Sequence, residues 1–156
     1  FMDIRQANKN DITQMVPLLD EVSKLHIEKR PDVFKTRAYE EIKSNLEEMI
    51  QDESNIILLA EDKQIVVGVI ICEIKEKINR TDLKDSKVLW INEICVKQEY
   101  RRNGIGRSLI EKAKEIAKAN NCLRLELNCW ELNGEAMKFY ENQGLTTQRR
   151  VMEINI

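Results

Sequence analysis

Arg101-Arg102-Asn103-Gly104-Ile105-Gly106 separates two patterns of different period. Before it, residues 88–96 are apolar and β-branched, as in a buried strand. After it, Ile105, Leu109, Ala113, Ile116 and Ala117 recur at helical spacing. Asn120-Asn121 ends that helix, and residues 122–129 turn extended again. A strand, glycine turn, helix and strand in this order predict a right-handed crossover whose two strands lie parallel and adjacent. Upstream, residues 56–60 and 65–74 flank Glu61-Asp62-Lys63-Gln64, which predicts an antiparallel hairpin. Residues 4–7 read as a first strand. Asp11 then caps a helix with Ile12, Met15, Val16, Leu19, Val22 and Leu25 on one side, and this helix must yield near Pro31. A second helix is expected from about Thr36 to Ile50, with Ile42, Leu46, Met49 and Ile50 on one side. Downstream, a short helix over residues 133–142 stops at Gly144, and residues 146–156 look extended. The expected order is βααβββαβαβ, an α/β chain with a mixed sheet and helices on both faces.

The composition narrows the class. The chain has 156 residues, a length suited to one domain spanning residues 1–156. With 42% apolar and 33% charged residues it is no disordered chain. Its 25 Lys+Arg against 27 Asp+Glu leave a net charge of −2, too balanced for a broad electrostatic grip on nucleic acid. The longest apolar run, residues 65–72, is far short of the ~20 residues a membrane-spanning helix needs. Residues 2–6 carry no apolar h-region behind a basic stretch, so the expectation is a cytoplasmic chain with no membrane partner. Cys72, Cys95, Cys122 and Cys129 form no C-x-x-C pair, and His26 is the one histidine, so no metal is expected. All four cysteines border apolar stretches and should be reduced and buried.

The glycine turn has a chemical reading. Free amides at a helix N-terminus point outward, and the helix dipole adds about half a positive charge there. Gly104 and Gly106 allow close approach, and Arg101 and Arg102 add charge, making a seat for a phosphate or diphosphate. A P-loop would need glycine at 101 and lysine at 107, where Arg101 and Arg107 stand. A dinucleotide fingerprint would need a third glycine where Leu109 stands, although Glu126 lies where a ribose-binding acid would fall. A tight strand-to-helix turn with no ligand is the remaining alternative.

Arg101-x-x-Gly104-x-Gly106 resembles the coenzyme A signature of the GNAT acyltransferase superfamily. Asn128-Cys129-Trp130-Glu131-Leu132-Asn133, followed by Ala136, Phe139, Tyr140, Gly144 and Leu145, resembles that superfamily's second motif, in the expected order and separation. The resemblance implies an acyl-CoA N-acyltransferase fold, with a mostly antiparallel mixed sheet and a parallel pair of strands splayed apart. It implies acetyl-CoA in the wedge, its pantetheine pairing with backbone of Ile94, Cys95 and Val96. The diphosphate would take amides of Arg102, Asn103, Gly104, Ile105 and Gly106, with Asn133 and Tyr140 reaching the coenzyme from the facing helix.

Transfer of an acetyl group to an amine needs a base, because an alkyl ammonium of pKa ~10.4 is mostly protonated at neutral pH. Glu93 interrupts the apolar strand beside the proposed thioester. Simple alternation puts it on the face of Leu89, Ile91 and Cys95, and a bulge would re-aim it. Glu126 is the second choice. Tyr140 suits the general acid, a phenol matched to a departing thiolate, and the resemblance implies the same role. Cys95 and Cys129 lack a histidine close in sequence, which disfavours a covalent acyl-enzyme. In the resembled superfamily the acceptor pocket is often walled by the segment between the first two helices. Here that segment holds His26, Arg30 and Phe34; Glu126 and Trp130 complete the acceptor candidates. The expected acceptor is a small-molecule or peptide amine. A non-catalytic acyl-CoA sensor on the same fold is the alternative function. The extended tail suits pairing or exchange across a homodimer.

Overall fold

The computed structural model describes residues 2–156; Phe1 lies outside them. Strands β1 (Met2–Gln6), β2 (Asn55–Asp62), β3 (Ile65–Lys77), β4 (Ser86–Val96) and β5 (Arg124–Leu127) form one sheet in sequential order. Four α-helices accompany it among the described residues: α1 (Ile12–Lys29), α2 (Tyr39–Gln51), α3 (Ile105–Ala119) and α4 (Gly134–Asn142). β1 to β4 pair antiparallel, and β4 pairs parallel with β5. The β2–β3 hairpin turns on Lys63 and Gln64, at φ 49° and 68°, the positive values that a two-residue turn between right-twisted strands demands.

β3 is the middle of the sheet, and residues 66–72 are all buried, which explains why it reads as a continuous apolar run instead of alternating. On one face, α1 and α2 lay Met15 and Leu46 against Leu59, Val69 and Ile71. On the other, α3 lays Leu109 and Ile110 against Ala60, Ile70 and Leu89. Side chains buried this completely each contribute roughly 1.5–3 kcal/mol relative to exposure.

Several elements differ from the expectation. The last strand is absent: residues 146–156 adopt no strand, so the chain ends on α4 and an extended tail. β5 is confined to Arg124–Leu127, because the Cys122 amide caps α3 on Ala117 and the chain leaves β4 beyond Leu127. α2 starts at Tyr39, not near Thr36. The buried side of α1 includes Leu18 and gives out after Leu19, while Leu25 is exposed, since the end of α1 borders a cavity and not the sheet.

Asp11 does not cap α1 with its side chain. Asn8 caps the single 3-10 turn before it, accepting from the Asn10 amide, and Asp11 returns a bond to the Asn8 amide. Its carboxylate, almost fully buried, is gripped by Arg5 at 2.7 and 2.9 Å. Those bonds hold the Asp11 pKa below the usual carboxylate value, against the opposing effect of burial. A depressed pKa stabilises the fold above the unfolded value and loses that contribution as pH falls through the folded one. Asp11→Asn is therefore expected to cost about 1–3 kcal/mol at neutral pH. Urea titrations of both proteins should show the gap closing in acid below the ordinary aspartate range.

Candidate active site

The site grows out of an irregularity in β4. Ile71 pairs with Glu93, but the next residue, Cys72, pairs with Ile91, so Asn92 is an extra residue in the strand. Before this bulge Leu89 and Ile91 pack toward α3; after it Cys95 packs toward α1 and α2. Glu93 thus shares its face with Cys95 and not with Leu89 and Ile91. The same region opens the sheet, since the β4–β5 ladder ends at Ile91 opposite Leu127. Residues 93–96 keep β3 on one side and, among the described residues, have no strand on the other. Every second residue there turns backbone groups toward the gap.

Glu93 is half-buried, and burial lifts its pKa to about 7, against the opposing pull of Arg37 and the Ile94 amide. Tyr140 on α4 is half-buried and edge-on to Phe139 at 5.4 Å. Burial raises its pKa, and so does the negative charge available to Cys129, Glu93 and Cys95, which puts these groups within electrostatic reach of one another. The phenol stays protonated through the neutral range. Cys95 is buried and its thiol pKa lies well above normal, from burial first and then from Glu93 and Glu21. Burial also raises Cys129. Neither is poised as a thiolate.

At the glycine turn, Arg102 and Gly104 both take positive φ, 65° and 78°. None of the amides from 102 to 107 donates to a protein acceptor among the described residues. These amides are free to receive an acceptor. Gly104 is needed for its backbone conformation, as a Cβ there would meet nothing within 4 Å. Gly106 is needed for space: a Cβ would come 2.9 Å from the Phe139 ring of α4. Gly106→Val is expected to push α4 off the turn, costing about 1–3 kcal/mol by overpacking. Calorimetry with and without CoA should show weaker coenzyme binding alongside a lower Tm.

Other expected contacts are already engaged. Arg101 turns back toward α1, donating to the Val96 carbonyl at 3.1 Å and to Glu21 at 3.3 Å, while Arg102, equally exposed, makes no ion pair among the described residues. The Asn133 side chain caps α4 on the Ala136 amide. Glu126 is partly buried, but bonds from Gln148 and Arg124 outweigh burial and lower its pKa. An engaged carboxylate of lowered pKa is a poorer base than Glu93.

His26, Arg30, Phe34 and Trp130, named from separate stretches, form one stack. His26 lies face to face with Phe34 at 4.9 Å, Phe34 meets Trp130 edge-on at 5.4 Å, and Arg30 sits over Trp130 at 5.2 Å. Asp32 and Glu153 hold Arg30 at 2.8 Å each. Burial lowers the His26 pKa. Beside this wall a cavity of about 580 Å³ opens between α1 and α2, bordered by Asp20, Ile27, Glu28, Arg37 and Tyr39. Arg37 on its lining is within electrostatic reach of Glu93. Arg37 was missed in sequence because it stands in an irregular linker with no period to mark it. Among the described residues, no group of three His, Cys, Asp or Glu is placed to hold a metal, and no helix is long and apolar enough to cross a membrane.

A family model described as "Acetyltransferase (GNAT) family" matches residues 19–145. The chain belongs to the GNAT acetyltransferase family. As an acetyltransferase it is 29% identical, over 92% of both chains, to an uncharacterized N-acetyltransferase of Archaeoglobus fulgidus. N-alpha-acetyltransferase 60 of Xenopus tropicalis is 32% identical over 50% of this chain and 38% of its own length. In fold, the acetyltransferase superposes on a solved Bacillus halodurans protein at TM-score 0.95, with 24% identity over 99% of both chains. The aminoglycoside N-acetyltransferase AAC(6')-Iy, solved with CoA, superposes at 0.79 with 18% identity, over 100% of this chain and 95% of that one. Enzymes of this fold use acetyl-CoA, and the free amides of the glycine turn and the unpaired side of β4 suit such a donor.

Proposed function

We propose that the acetyltransferase transfers an acetyl group from acetyl-CoA to a small-molecule or peptide amine by direct attack with both substrates bound, residues 1–156 working as one domain. The observation that carries this reading is the convergence of Glu93 and Tyr140 where β4 parts from β5. Acetyl-CoA supplies the thioester. Backbone groups of Ile94, Cys95 and Val96 line its path, and amides from Arg102 to Gly106 take its diphosphate. Glu93, poised near 7, removes the proton from the attacking amine directly or through one water. As the C–N bond forms and the C–S bond breaks, Tyr140 gives its proton to the departing sulfur. An amide of residues 94–96 polarises the carbonyl.

The acceptor enters along the wall of His26, Arg30, Phe34 and Trp130, whose aromatic faces suit a cation. The match to an N-alpha-acetyltransferase supports a peptide N-terminus, and the likeness to an aminoglycoside enzyme supports a small polyamine. Thiol release from acetyl-CoA with a panel of amines, amino acids, aminoglycosides and short peptides tests the reading. Release with at least one acceptor class is expected. A silent panel combined with thermal stabilisation by CoA would instead make the chain a sensor. Stabilisation by NAD and not by CoA would overturn the coenzyme.

A further inference from the structure

Arg37 lines the cavity between α1 and α2, is half-buried, and makes no hydrogen bond or ion pair among the described residues. Other cations of this region are engaged. Arg30 is held by Asp32 and Glu153, Arg101 by the Val96 carbonyl and Glu21, and Lys24, on the same lining, by Asp20 at 3.0 Å. A guanidinium offers five donors in a planar fork that matches a carboxylate. At Arg37 that fork is unused.

The remaining charges of the lining do not compete for it. Lys24 and Asp20 neutralise each other, and Glu28 is exposed. Val16, Pro17, Ile27 and Ile42 make much of the rest of the lining apolar, and about 580 Å³ suits a small molecule. The cavity also adjoins the reacting end of the site. Val16 and Ile42 belong to the packed cluster that holds Cys95 and Ile71. Glu93 shares the face of Cys95 and pairs with Ile71. An anion site, a base and an apolar space therefore meet on one side of β4.

We infer that the acceptor is a free α-amino acid with an apolar side chain, its carboxylate in the Arg37 fork, its amine at Glu93 and its side chain in the cavity. The inference rests on the acetyl transfer proposed for this site. The amine loses its proton to Glu93, the C–N bond forms, the C–S bond breaks and Tyr140 protonates the sulfur. The products are the N-acetyl amino acid and CoA. A peptide N-terminus presents an amide where Arg37 offers its fork, and a polyamine brings a second cation to it.

Thiol release from acetyl-CoA is measured with leucine, methionine and phenylalanine and with their α-carboxamides, which differ only in the group offered to Arg37. The acids should exceed their amides in kcat/KM by about 10–100-fold, the worth of a charge-assisted bidentate bond. Arg37→Gln should bring that ratio to about one, and Arg37→Lys should keep part of it. Because the ratio is taken within one protein, any loss of folded chain cancels. Calorimetric titration of the CoA-loaded chain with the same ligands reads the site without the reaction. A preference for acids there that Arg37→Gln removes, with no thiol release, supports the amino-acid site and overturns acetyl transfer. Amides turned over as well as acids overturn the amino-acid site and leave acetyl transfer standing, as does a preference that survives Arg37→Gln. Acids that neither bind nor react overturn it too.

Discussion

Tyr140→Phe is expected to lower kcat by about 10²–10⁴-fold, the usual worth of a positioned proton donor. The ring's edge-on contact with Phe139 and its burial survive the change, because only the hydroxyl is removed. Affinity for CoA and the melting temperature should therefore move little. Steady-state kinetics beside calorimetric CoA titration separate the two effects. Turnover equal to the parent's would remove Tyr140 from the chemistry. A loss confined to KM would make it a binding group.

Glu93→Gln is expected to have an opposite effect on activity and on stability. Activity should fall by about 10²-fold or more, and the parent's rise in kcat/KM through pH 7 should vanish with it. The sign for stability follows from the direction of the shift. The Glu93 pKa is raised by folding, from 4.5 to about 7, so the folded chain holds a proton that the unfolded chain has lost in that window. Stability from this group is complete below the unfolded pKa and is lost as pH rises through the folded one. At pH 8 the parent carries a partly desolvated carboxylate and the glutamine variant does not. The variant should be the more stable of the two at pH 8, with the advantage shrinking in acid. Denaturant titrations at pH 5 and pH 8 measure this. A variant less stable at both pH values would contradict a strained carboxylate at this position.

The crossover from β4 through α3 to β5 was legible because it rests on local signals: a strand period, a left-handed glycine and a helix period in one passage. The hairpin was legible for the same reason. What escaped depends on distant contacts. The bulge at Asn92 leaves no trace in composition, and only the registers Ile71–Glu93 and Cys72–Ile91 reveal it. Gly106 reads as a glycine for ligand approach, yet its tight neighbour is Phe139, far along the chain. Arg101 reads as a charge for phosphate, yet it is spent on the Val96 carbonyl and Glu21. The tail has a strand's alternation and forms no strand, because a pattern does not by itself supply a pairing partner. His26, Arg30, Phe34 and Trp130 were named from the sequence as acceptor candidates, and that they stack on one another is visible only in the fold.

Asn92 changes the parity of its strand, so one segment serves two masters: its first half answers to α3 and its second to α1 and α2. Were that residue taken up into a regular ladder, everything downstream would exchange sides. Ile94 would swing into the cleft, and the carboxylate beside it would be driven beneath α3 among Leu109 and Ile110, where an unpaired charge cannot be sustained. Anyone grafting this strand into another scaffold must keep the bulged register along with the acid, since regular pairing of the same residues turns the carboxylate to the wrong side of the wall.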